Sequence, residues 1–340
     1  MQQQLPKPIL SLRHLTTKLL IDKKAFTVVD DLSFDLYPGK TLALVGESGC
    51  GKSMSALSIL RILPEPPALP STGLILYKER NLLELSPKEM QAIRGAKIAM
   101  IFQDPMSALN PVYSIGYQLN EVAELHLGLK GAEAQKKILS ALEDVQIQDP
   151  KLRINDYPHQ LSGGQLQRVM IAMALLCEPD ILIADEPTTA LDVTIQKQIL
   201  DLLADLQKKK EMAILLITHD MGVVSYAADE CIVMYATQKV EEGSVENVFK
   251  TPLHPYSQGL FRARATHPIK EKKFYTIKGN VPPLTELPRG CRFHPRCPHV
   301  MPICKEGDVP FFNPHKEKQQ TVKCWLFREN NHAPSGSKKS

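Results

Sequence analysis

The sequence predicts an α/β fold in which helices cover both faces of a central sheet. Three observations support this prediction. Short apolar runs typical of buried strands alternate with segments of helical composition, as in covered sheets. A mostly helical stretch, residues 104–176, interrupts the alternation. Charge, proline content and cysteine content all change near residue 250, which indicates a boundary there.

The individual elements follow from apolar spacing and from turn residues. The first 45 residues alternate β-like runs with turns, and residues 37–40 form a tight turn with the sequence YPGK. Strands are predicted at residues 32–36, 41–45, 98–102, 181–184 and 213–218. Helices are predicted at residues 53–63, where the prolines at 64, 66 and 67 end the segment, and at residues 165–177 and 193–209.

Composition limits the classes of protein to which the chain can belong. Its 340 residues are 43% hydrophobic and 23% charged, which suits a large globular domain with an appendage and not a disordered chain. The N-terminus lacks the basic start and apolar stretch of a signal peptide. No run reaches the roughly 20 apolar residues that a membrane-spanning helix requires. We therefore expect any membrane association to depend on partner proteins.

The last 90 residues differ chemically from the rest. Residues 251–340 contain 16 Lys and Arg against 6 Asp and Glu, and they hold 12 of the 26 prolines and four of the seven cysteines. The chain before them is net acidic. We predict one large domain at residues 1–250, with a helical subdomain at about 104–176, and a C-terminal extension at 251–340. The polar end of the extension, residues 335–340, is expected to be disordered.

A glycine-rich loop between a predicted strand and a predicted helix fits the pattern G-x-x-x-x-G-K-S. Its backbone N–H groups and the helix N-terminus suit a bound phosphate chain. The lysine is expected to reach the β- and γ-phosphates of ATP, and the serine hydroxyl to bind Mg²⁺. An ordinary Gly/Ser turn is the alternative, which the spacing and the flanking elements disfavour. The loop consists of Gly46, Glu47, Ser48, Gly49, Cys50, Gly51, Lys52 and Ser53.

Cys50 has two interpretations. Its position at a helix N-terminus and close to Lys52 is one that can lower a thiol pKa, so its modification could block ATP binding. The favoured alternative is a small residue that simply fits the loop.

An apolar strand ends in two carboxylates, Asp185 and Glu186. Adjacent residues on a strand point to opposite sides, so the two acids are expected to have different roles. Asp185 would hold Mg²⁺, while Glu186 would act as the general base that polarises the attacking water. An apolar strand that ends in two acids is common by chance, and the nearby phosphate loop supports the functional interpretation.

The extension contains four cysteines with the spacing C-x5-C-x6-C-x19-C. The tight cysteine pair of structural zinc sites is absent, so an iron–sulfur cluster is favoured, with zinc or no metal as alternatives. Basic neighbours are expected to favour the thiolates and to offset the charge of a ligated cluster. Three histidines are alternative ligands, although surface positions are favoured for them. The cysteines are Cys291, Cys297, Cys304 and Cys324, the basic neighbours Arg292, Arg296, Lys305 and Lys323, and the histidines His294, His299 and His315.

Further motifs resemble those of the ATPase subunits of ABC transporters, in family order across about 200 residues. Residues 161–165, LSGGQ, look like the signature sequence. Gln103 resembles the glutamine that follows a strand, and His219 the switch histidine. Residues 190–192, the sequence Ala190-Leu191-Asp192, look like the D-loop.

This resemblance implies a P-loop NTPase core with an antiparallel β subdomain and an inserted helical subdomain. It also implies that the signature contacts the γ-phosphate held by a second, opposed subunit, so that activity requires a dimer. Gln103 would sense Mg²⁺ or water, and His219 would contact the γ-phosphate. Phe26 would stack on adenine, with core packing a nearly equal alternative. The implied signature residues are Leu161, Ser162, Gly163, Gly164 and Gln165.

The extension and parts of the core are similar to the ATPases of dipeptide and oligopeptide importers. The similarity rests on residues 100–105, 157–160, 254–256 and 290–298, although His294 stands where the family usually has Asn. Some members of that group carry a 4Fe-4S cluster on such cysteines. The resemblance implies two permeases, a second and different ATPase subunit, and an extracytoplasmic peptide-binding protein. It also implies a peripheral position on the cytoplasmic face of the bacterial inner membrane.

Peptide is the substrate that this resemblance favours, and nickel or cationic peptides are alternatives within related systems. A non-transport ABC protein acting on ribosomes or in DNA repair is disfavoured, because neither a second fused ATPase domain nor a long coiled-coil insertion is visible. The basic extension lacks an aromatic-rich or helix-in-groove pattern, so no nucleic-acid partner is expected.

Overall fold

The computed structural model describes residues 7–189, 191–263 and 276–328. A four-stranded antiparallel sheet has the strand order β2-β1-β4-β5. It consists of β1 (Leu10–Ile21), β2 (Lys24–Leu36), β4 (Thr72–Tyr77) and β5 (Arg80–Asn81). The main sheet has the order β11-β12-β10-β9-β3-β8-β7-β6. It consists of β3 (Thr41–Val45), β6 (Ile98–Ile101), β7 (Ile181–Asp185), β8 (Ala213–Thr218), β9 (Glu230–Tyr235), β10 (Gln238–Ser244), β11 (Phe312–His315) and β12 (Gln320–Val322).

The helices surround the main sheet, and none in the described ranges is long and apolar enough to cross a bilayer. They are α1 (Lys52–Leu60), α2 (Pro87–Ile93), α3 (Pro105–Ala108), α4 (Ile115–Leu127), α5 (Gly131–Asp144), α6 (Pro150–Arg153), α7 (Gly163–Leu175), α8 (Val193–Lys210), α9 (Met221–Ala227), α10 (Val245–Lys250) and α11 (Pro255–Arg262). Short 3₁₀ helices lie at Leu82–Glu84, Pro158–Gln160, Leu284–Glu286, His294–Arg296, Pro302–Lys305, Lys316–Lys318 and Trp325–Phe327.

The α/β class, the antiparallel β subdomain and the helical insertion are confirmed. The predicted strand at 32–36 is the end of the longer β2, and the insertion contains α3 to α7. The helix predicted at 53–63 ends earlier than expected, at Leu60. Arg61 takes a left-handed backbone conformation (φ 51°), and its N–H bonds back to the last turn. This cap ends the helix before the prolines do.

The parallel centre of the main sheet is buried on both faces. Alternate residues of β7 illustrate this: Leu182 packs into the core shared with the helical insertion, whereas Ile183 packs into the core shared with the antiparallel sheet. Parallel strands covered on both faces need apolar residues at every position, and β3 and β8 are buried throughout. Because β3, β7 and β8 are parallel, their carboxyl ends lie at the same edge of the main sheet.

The extension is built into the main sheet. Strand β12 pairs antiparallel with β10, and β11 pairs with β12. The fully buried carboxylate of Glu241 on β10 accepts hydrogen bonds from the backbone N–H groups of Leu253 and His254, both at 2.8 Å, and from Gln320 Nε2 at 2.8 Å. One side chain of the sheet thus holds both the start of α11 and β12.

Candidate nucleotide site and cysteine cavity

The phosphate loop connects β3 to α1, and two of its glycines lie directly against neighbouring backbone. Gly46 and Gly51 have φ values of 151° and 101°. A Cβ atom on Gly46 would lie 2.2 Å from the carbonyl oxygen of Met234, and one on Gly51 would lie 2.5 Å from that of Val28. Since real Cβ atoms do not approach backbone so closely, these two positions require glycine.

Lys52 and Ser53 begin α1 and point toward the loop and the end of β7. The ammonium group of Lys52, which is buried, donates to the carbonyl oxygens of Gly46 at 2.9 Å and Glu47 at 3.1 Å. The hydroxyl of Ser53 donates to Asp185 Oδ1 at 3.1 Å. Two side chains predicted to bind Mg²⁺ are therefore in direct contact.

Glu186 lies at the centre of a small hydrogen-bond network. Gln103 Nε2 donates to its Oε2 at 3.0 Å, and the Thr189 hydroxyl donates to the same oxygen at 2.8 Å. His219 Nδ1 lies 2.9 Å from Oε1. Three residues predicted from separate parts of the sequence meet here, and Thr189 was not predicted.

The two carboxylates at the end of β7 differ electrostatically. Burial raises the pKa of Asp185, and the hydrogen bond from Ser53 opposes that rise. Burial also acts to raise the pKa of Glu186, but the hydrogen bonds from His219 and Thr189 outweigh it and hold the pKa below its ordinary value. Glu186 is therefore ionised at neutral pH, as a general base must be.

A cavity of about 200 Å³ lies over the phosphate loop and reaches Gln103 and Glu186. Four further lining residues were not predicted: Val28 of β2, Met54 of α1, Thr237, and Leu284 of the extension. Phe26 lies two residues before Val28 on the same strand and is partly buried. The proposed stacking of Phe26 on adenine stays a prediction.

Cys50 lies under the loop and is 1% exposed. Burial raises its pKa, although the nearby Lys52 charge opposes the rise. The raised pKa and the close packing against Gly46 favour the interpretation of Cys50 as a small packing residue.

The signature residues form the start of α7, outside the lining of this cavity. Ser162 caps the helix: Gln165 N donates to its hydroxyl at 3.4 Å, and Ser162 N donates to Gln165 Oε1 at 2.9 Å. A Cβ atom on Gly164 would lie 3.1 Å from Ile195 Cγ2, so α7 begins close to α8. Asp192 caps α8, and Ala190 lies outside the described residues.

All four cysteines of the extension line one narrow cavity, together with His254 and Trp325. None of the four forms a disulfide. Across the described parts of the chain, no three His, Cys, Asp or Glu side chains converge as a site for a single metal ion. His294 and His299 also line the cavity, and the side chain of His315 lies outside the described residues.

Within residues 7–189, 191–263 and 276–328, two buried N–H groups at this cavity have no hydrogen-bond partner: His254 Nε2 and Trp325 Nε1. The Nδ1 atom of His254 accepts a bond from Tyr256 N at 3.0 Å, which leaves the proton of the neutral ring on Nε2. Burial lowers the pKa of His254 to about 3, so the ring is neutral. A buried donor without a partner is uncommon, so the two groups are suited to an acceptor bound in the cavity.

The expectation that basic neighbours favour the thiolates was wrong for three cysteines. Burial raises the pKa of Cys291 to about 11 and that of Cys324 to about 12, and it also raises the pKa of Cys297. Two of the basic neighbours are paired elsewhere. Arg292 pairs with Asp30 and Arg296 with Glu47, both on the nucleotide-binding side.

Comparisons with known proteins match both the part of the chain that contains the phosphate loop and the C-terminal extension. A family described as "ABC transporter" matches residues 29–189, and one described as "Oligopeptide/dipeptide transporter, C-terminal region" matches residues 240–304. The chain is 47% identical over 318 residues to the dipeptide transport ATP-binding protein DppD of Bacillus subtilis, covering 94% of each chain. It is 44% identical to the oligopeptide transport ATP-binding protein AppD of the same organism, covering 94% of this chain and 97% of that one.

Solved structures show the same cassette. A structure described as the dimeric form of MJ0796, a bacterial ABC transporter cassette, is 25% identical with a TM-score of 0.61, and it covers 69% of this chain and 98% of that chain. The cbiO1 protein of Clostridium perfringens, described as part of the ABC transporter complex cbiONQ, is 29% identical with a TM-score of 0.62. That match covers 72% of this chain and 91% of cbiO1.

Proposed function

The chain belongs to the ATP-hydrolysing subunits of ABC transporters for dipeptides and oligopeptides, and we propose that the cavity over its phosphate loop is where it hydrolyses ATP to power peptide import. The observation that carries this proposal is the joint position of Lys52 and Glu186. A buried ammonium group and an ionised carboxylate held by His219 line one cavity.

The residues have distinct roles in the proposed reaction. The loop N–H groups and Lys52 bind the phosphates, as in other phosphoryl-transfer sites. Ser53, Asp185 and Gln103 would hold Mg²⁺, which neutralises charge that develops on the phosphates. Glu186 accepts a proton from the attacking water, and His219 keeps the carboxylate oriented. Gln103 and Thr189 fix the other oxygen of that carboxylate.

The signature residues are proposed to act on ATP held by a second ATPase subunit. Ser162, Gly163 and Gly164 form a helix start outside the lining of their own chain's cavity, and Ser162 and Gly163 are exposed. A helix start of this kind binds anions. One of the similar cassettes is described as dimeric. We propose a heterodimer in which each chain supplies one half of two composite sites, with Asp192 at the junction.

The chain is proposed to work at the cytoplasmic face of the bacterial inner membrane with two permeases and an extracytoplasmic peptide-binding protein. The names of its relatives support peptide as the substrate class. Nickel and cationic peptides remain alternatives because the substrate does not pass through this chain.

The test is purification of the tagged full chain from the membrane, followed by assay of the complex. We expect two polytopic proteins and a second ATPase to co-purify, and phosphate release to rise when a peptide-loaded binding protein is added. If nickel stimulates phosphate release and peptide does not, nickel is the substrate. A chain purified alone, with ATP hydrolysis insensitive to any membrane partner, would contradict the proposal.

We further propose that the cysteine cavity holds an iron–sulfur cluster. Cys291, Cys297, Cys304 and Cys324 would be its ligands, and His254 Nε2–H and Trp325 Nε1–H would donate to its sulfur atoms, which satisfies two orphaned donors. Such a cluster would crosslink four segments of the extension and takes no part in hydrolysis. The cavity, about 10 Å³, has room for about one water molecule, so the segments that carry the four cysteines would move apart on binding.

Anaerobic purification with iron, sulfide and zinc analysis tests this second proposal. We expect iron and inorganic sulfide in equal amounts with broad visible absorption. One zinc per chain without visible absorption would show that the cysteines bind zinc and not a cluster. The absence of iron, sulfide and zinc would show that they bind no metal.

A further inference from the structure

The extension holds the phosphate loop directly, through the second residue of the loop. Arg296 Nη1 lies 2.7 Å from Glu47 Oε2, and Nη2 lies 3.1 Å from Oε1. This is a bidentate, charge-assisted pair, and the Arg296 side chain is only 5% exposed. The backbone N–H of Glu47 donates to the Tyr256 hydroxyl at 2.9 Å. Both the main chain and the side chain of Glu47 are therefore fixed by residues beyond 250.

A carboxylate at this position needs neutralising. The loop binds a polyanion, and an unpaired negative charge beside it would repel the phosphates. Arg296 supplies the matching positive charge in the planar geometry that suits a carboxylate. Lys52 also donates to the Glu47 carbonyl oxygen at 3.1 Å, so every polar group of Glu47 has a partner.

The same residues continue into the wall of the cysteine cavity. Arg296 directly precedes Cys297, and its guanidinium lies over the rings of Tyr235 and Phe293, at 5.7 and 5.9 Å from their centroids. Phe293 lines the cysteine cavity and packs against Tyr256 with ring centroids 5.5 Å apart. The packing is thus continuous from the cysteines to the phosphate loop.

We propose that Arg296 and Tyr256 position the phosphate loop for ATP, and that an intact cysteine cavity is needed to keep them in place. The extension is in this view part of the ATP site. This inference rests on the proposed role of the loop in ATP binding, and it is independent of which metal occupies the cysteine cavity.

The test is the affinity of the full chain for a non-hydrolysable Mg-ATP analogue. We expect Arg296→Gln to weaken binding about tenfold, because it leaves a carboxylate unpaired beside the phosphates. The double variant Arg296→Gln/Glu47→Gln is expected to recover affinity, since it removes the charge that repels. Arg296→Lys is expected to recover part of it. Lys305→Gln removes an exposed positive charge beside Cys304 and is the matched control, with no change expected.

Two results would overturn the positioning role: wild-type affinity in Arg296→Gln, or a double variant as weak as the single one. If Arg296→Gln does not fold, Tyr256→Phe decides, because it keeps the ring and removes only the hydroxyl. A few-fold loss of affinity is expected, and unchanged affinity contradicts the role.

Cys297→Ser tests the link to the cysteine cavity. We expect it to weaken analogue binding although it leaves the Arg296–Glu47 pair chemically intact, and unchanged affinity would reject the link. A wild-type chain that fails to bind the analogue would instead reject the proposed function. The two failures are therefore distinguishable.

Discussion

The phosphate loop and the cysteine cavity are both suited to a charged group, yet they are assembled in opposite ways. The loop is one contiguous segment, shaped by glycines and lined by backbone N–H groups, under a cavity of about 200 Å³. The cysteine cavity draws side chains from separated segments of the extension into a narrow, mostly apolar space. The shape of the loop is set by its own backbone, although Arg296 and Tyr256 of the extension also contact it, whereas the cysteine cavity depends entirely on long-range packing.

Glu186, in the cavity over the phosphate loop, is the position at which we expect a substitution to change function most. Glu186→Gln should reduce ATP turnover in the assembled transporter by roughly a thousandfold, since the proposed general base is lost. Binding of the ATP analogue should persist, because Lys52 and the loop are untouched. Phosphate release measures the turnover, and titration with the ATP analogue measures the binding. Glu143→Gln, an exposed carboxylate on α5, is the control, and near wild-type turnover in Glu186→Gln would reject the assignment.

The next effect lies on the cysteine side. Cys291→Ser should abolish iron and sulfide retention in anaerobically purified protein, because a cavity that depends on four separated segments tolerates the loss of one ligand poorly. Cys177→Ser, at a half-buried cysteine outside the extension, should retain both. Equal metal content in the two variants would mean that the cavity is not the metal site.

Glu241 on β10 holds the extension, which carries the cysteine cavity, to the main sheet. Glu241→Ala should lower the free energy of unfolding by about 3 kcal/mol, because it leaves the buried N–H groups of Leu253 and His254 without their acceptor. Denaturant unfolding measures it. Glu246→Ala removes an exposed pair with Lys250 and should cause no resolvable change. Equal stabilities of the two variants would show that the carboxylate does not hold the extension.

The smallest effect is a pH dependence of the metal-free protein. The pKa of His254 lies near 3 in the folded chain, against an ordinary value of 6.5, so the unfolded chain binds the proton first. The stability that the neutral His254 ring contributes is fully present above about pH 6.5 and is lost as the pH falls toward 3. Between pH 7 and pH 5 the wild type should lose about 2 kcal/mol more than His254→Asn.

Asparagine is chosen at position 254 because its side chain can still cap α11. His159→Asn, at an exposed position, should keep the wild-type pH dependence. Parallel stability curves for the wild type and His254→Asn would contradict the burial of a neutral ring.

The sequence predicts the phosphate-loop side of the comparison well for a physical reason. The glycines and the lysine of the loop lie within one short segment, so their geometry is set locally. Strands β7 and β8 bring Glu186 and His219 to the same edge because parallel strands end together. The residues that were missed come from elsewhere. Thr189 and Leu284 carry no motif of their own, and only the folded chain brings them to the site.

On the cysteine side, the spacing indicated a shared site but not the use of its basic neighbours. Arg296 and Glu47 are 249 positions apart, and Arg292 and Asp30 are 262 positions apart. Proximity in sequence to Cys297 suggested that Arg296 acts on the thiol, whereas the fold directs it to the phosphate loop. Charge partners at such separations cannot be read from one sequence.

Peptide uptake by the assembled transporter in liposomes is the most direct test of the central claim that hydrolysis at this phosphate loop powers import. A labelled dipeptide is followed together with phosphate release, for the wild type and for Lys52→Ala. We expect the variant to lose uptake and hydrolysis together. Uptake at the wild-type rate with Lys52→Ala would contradict it.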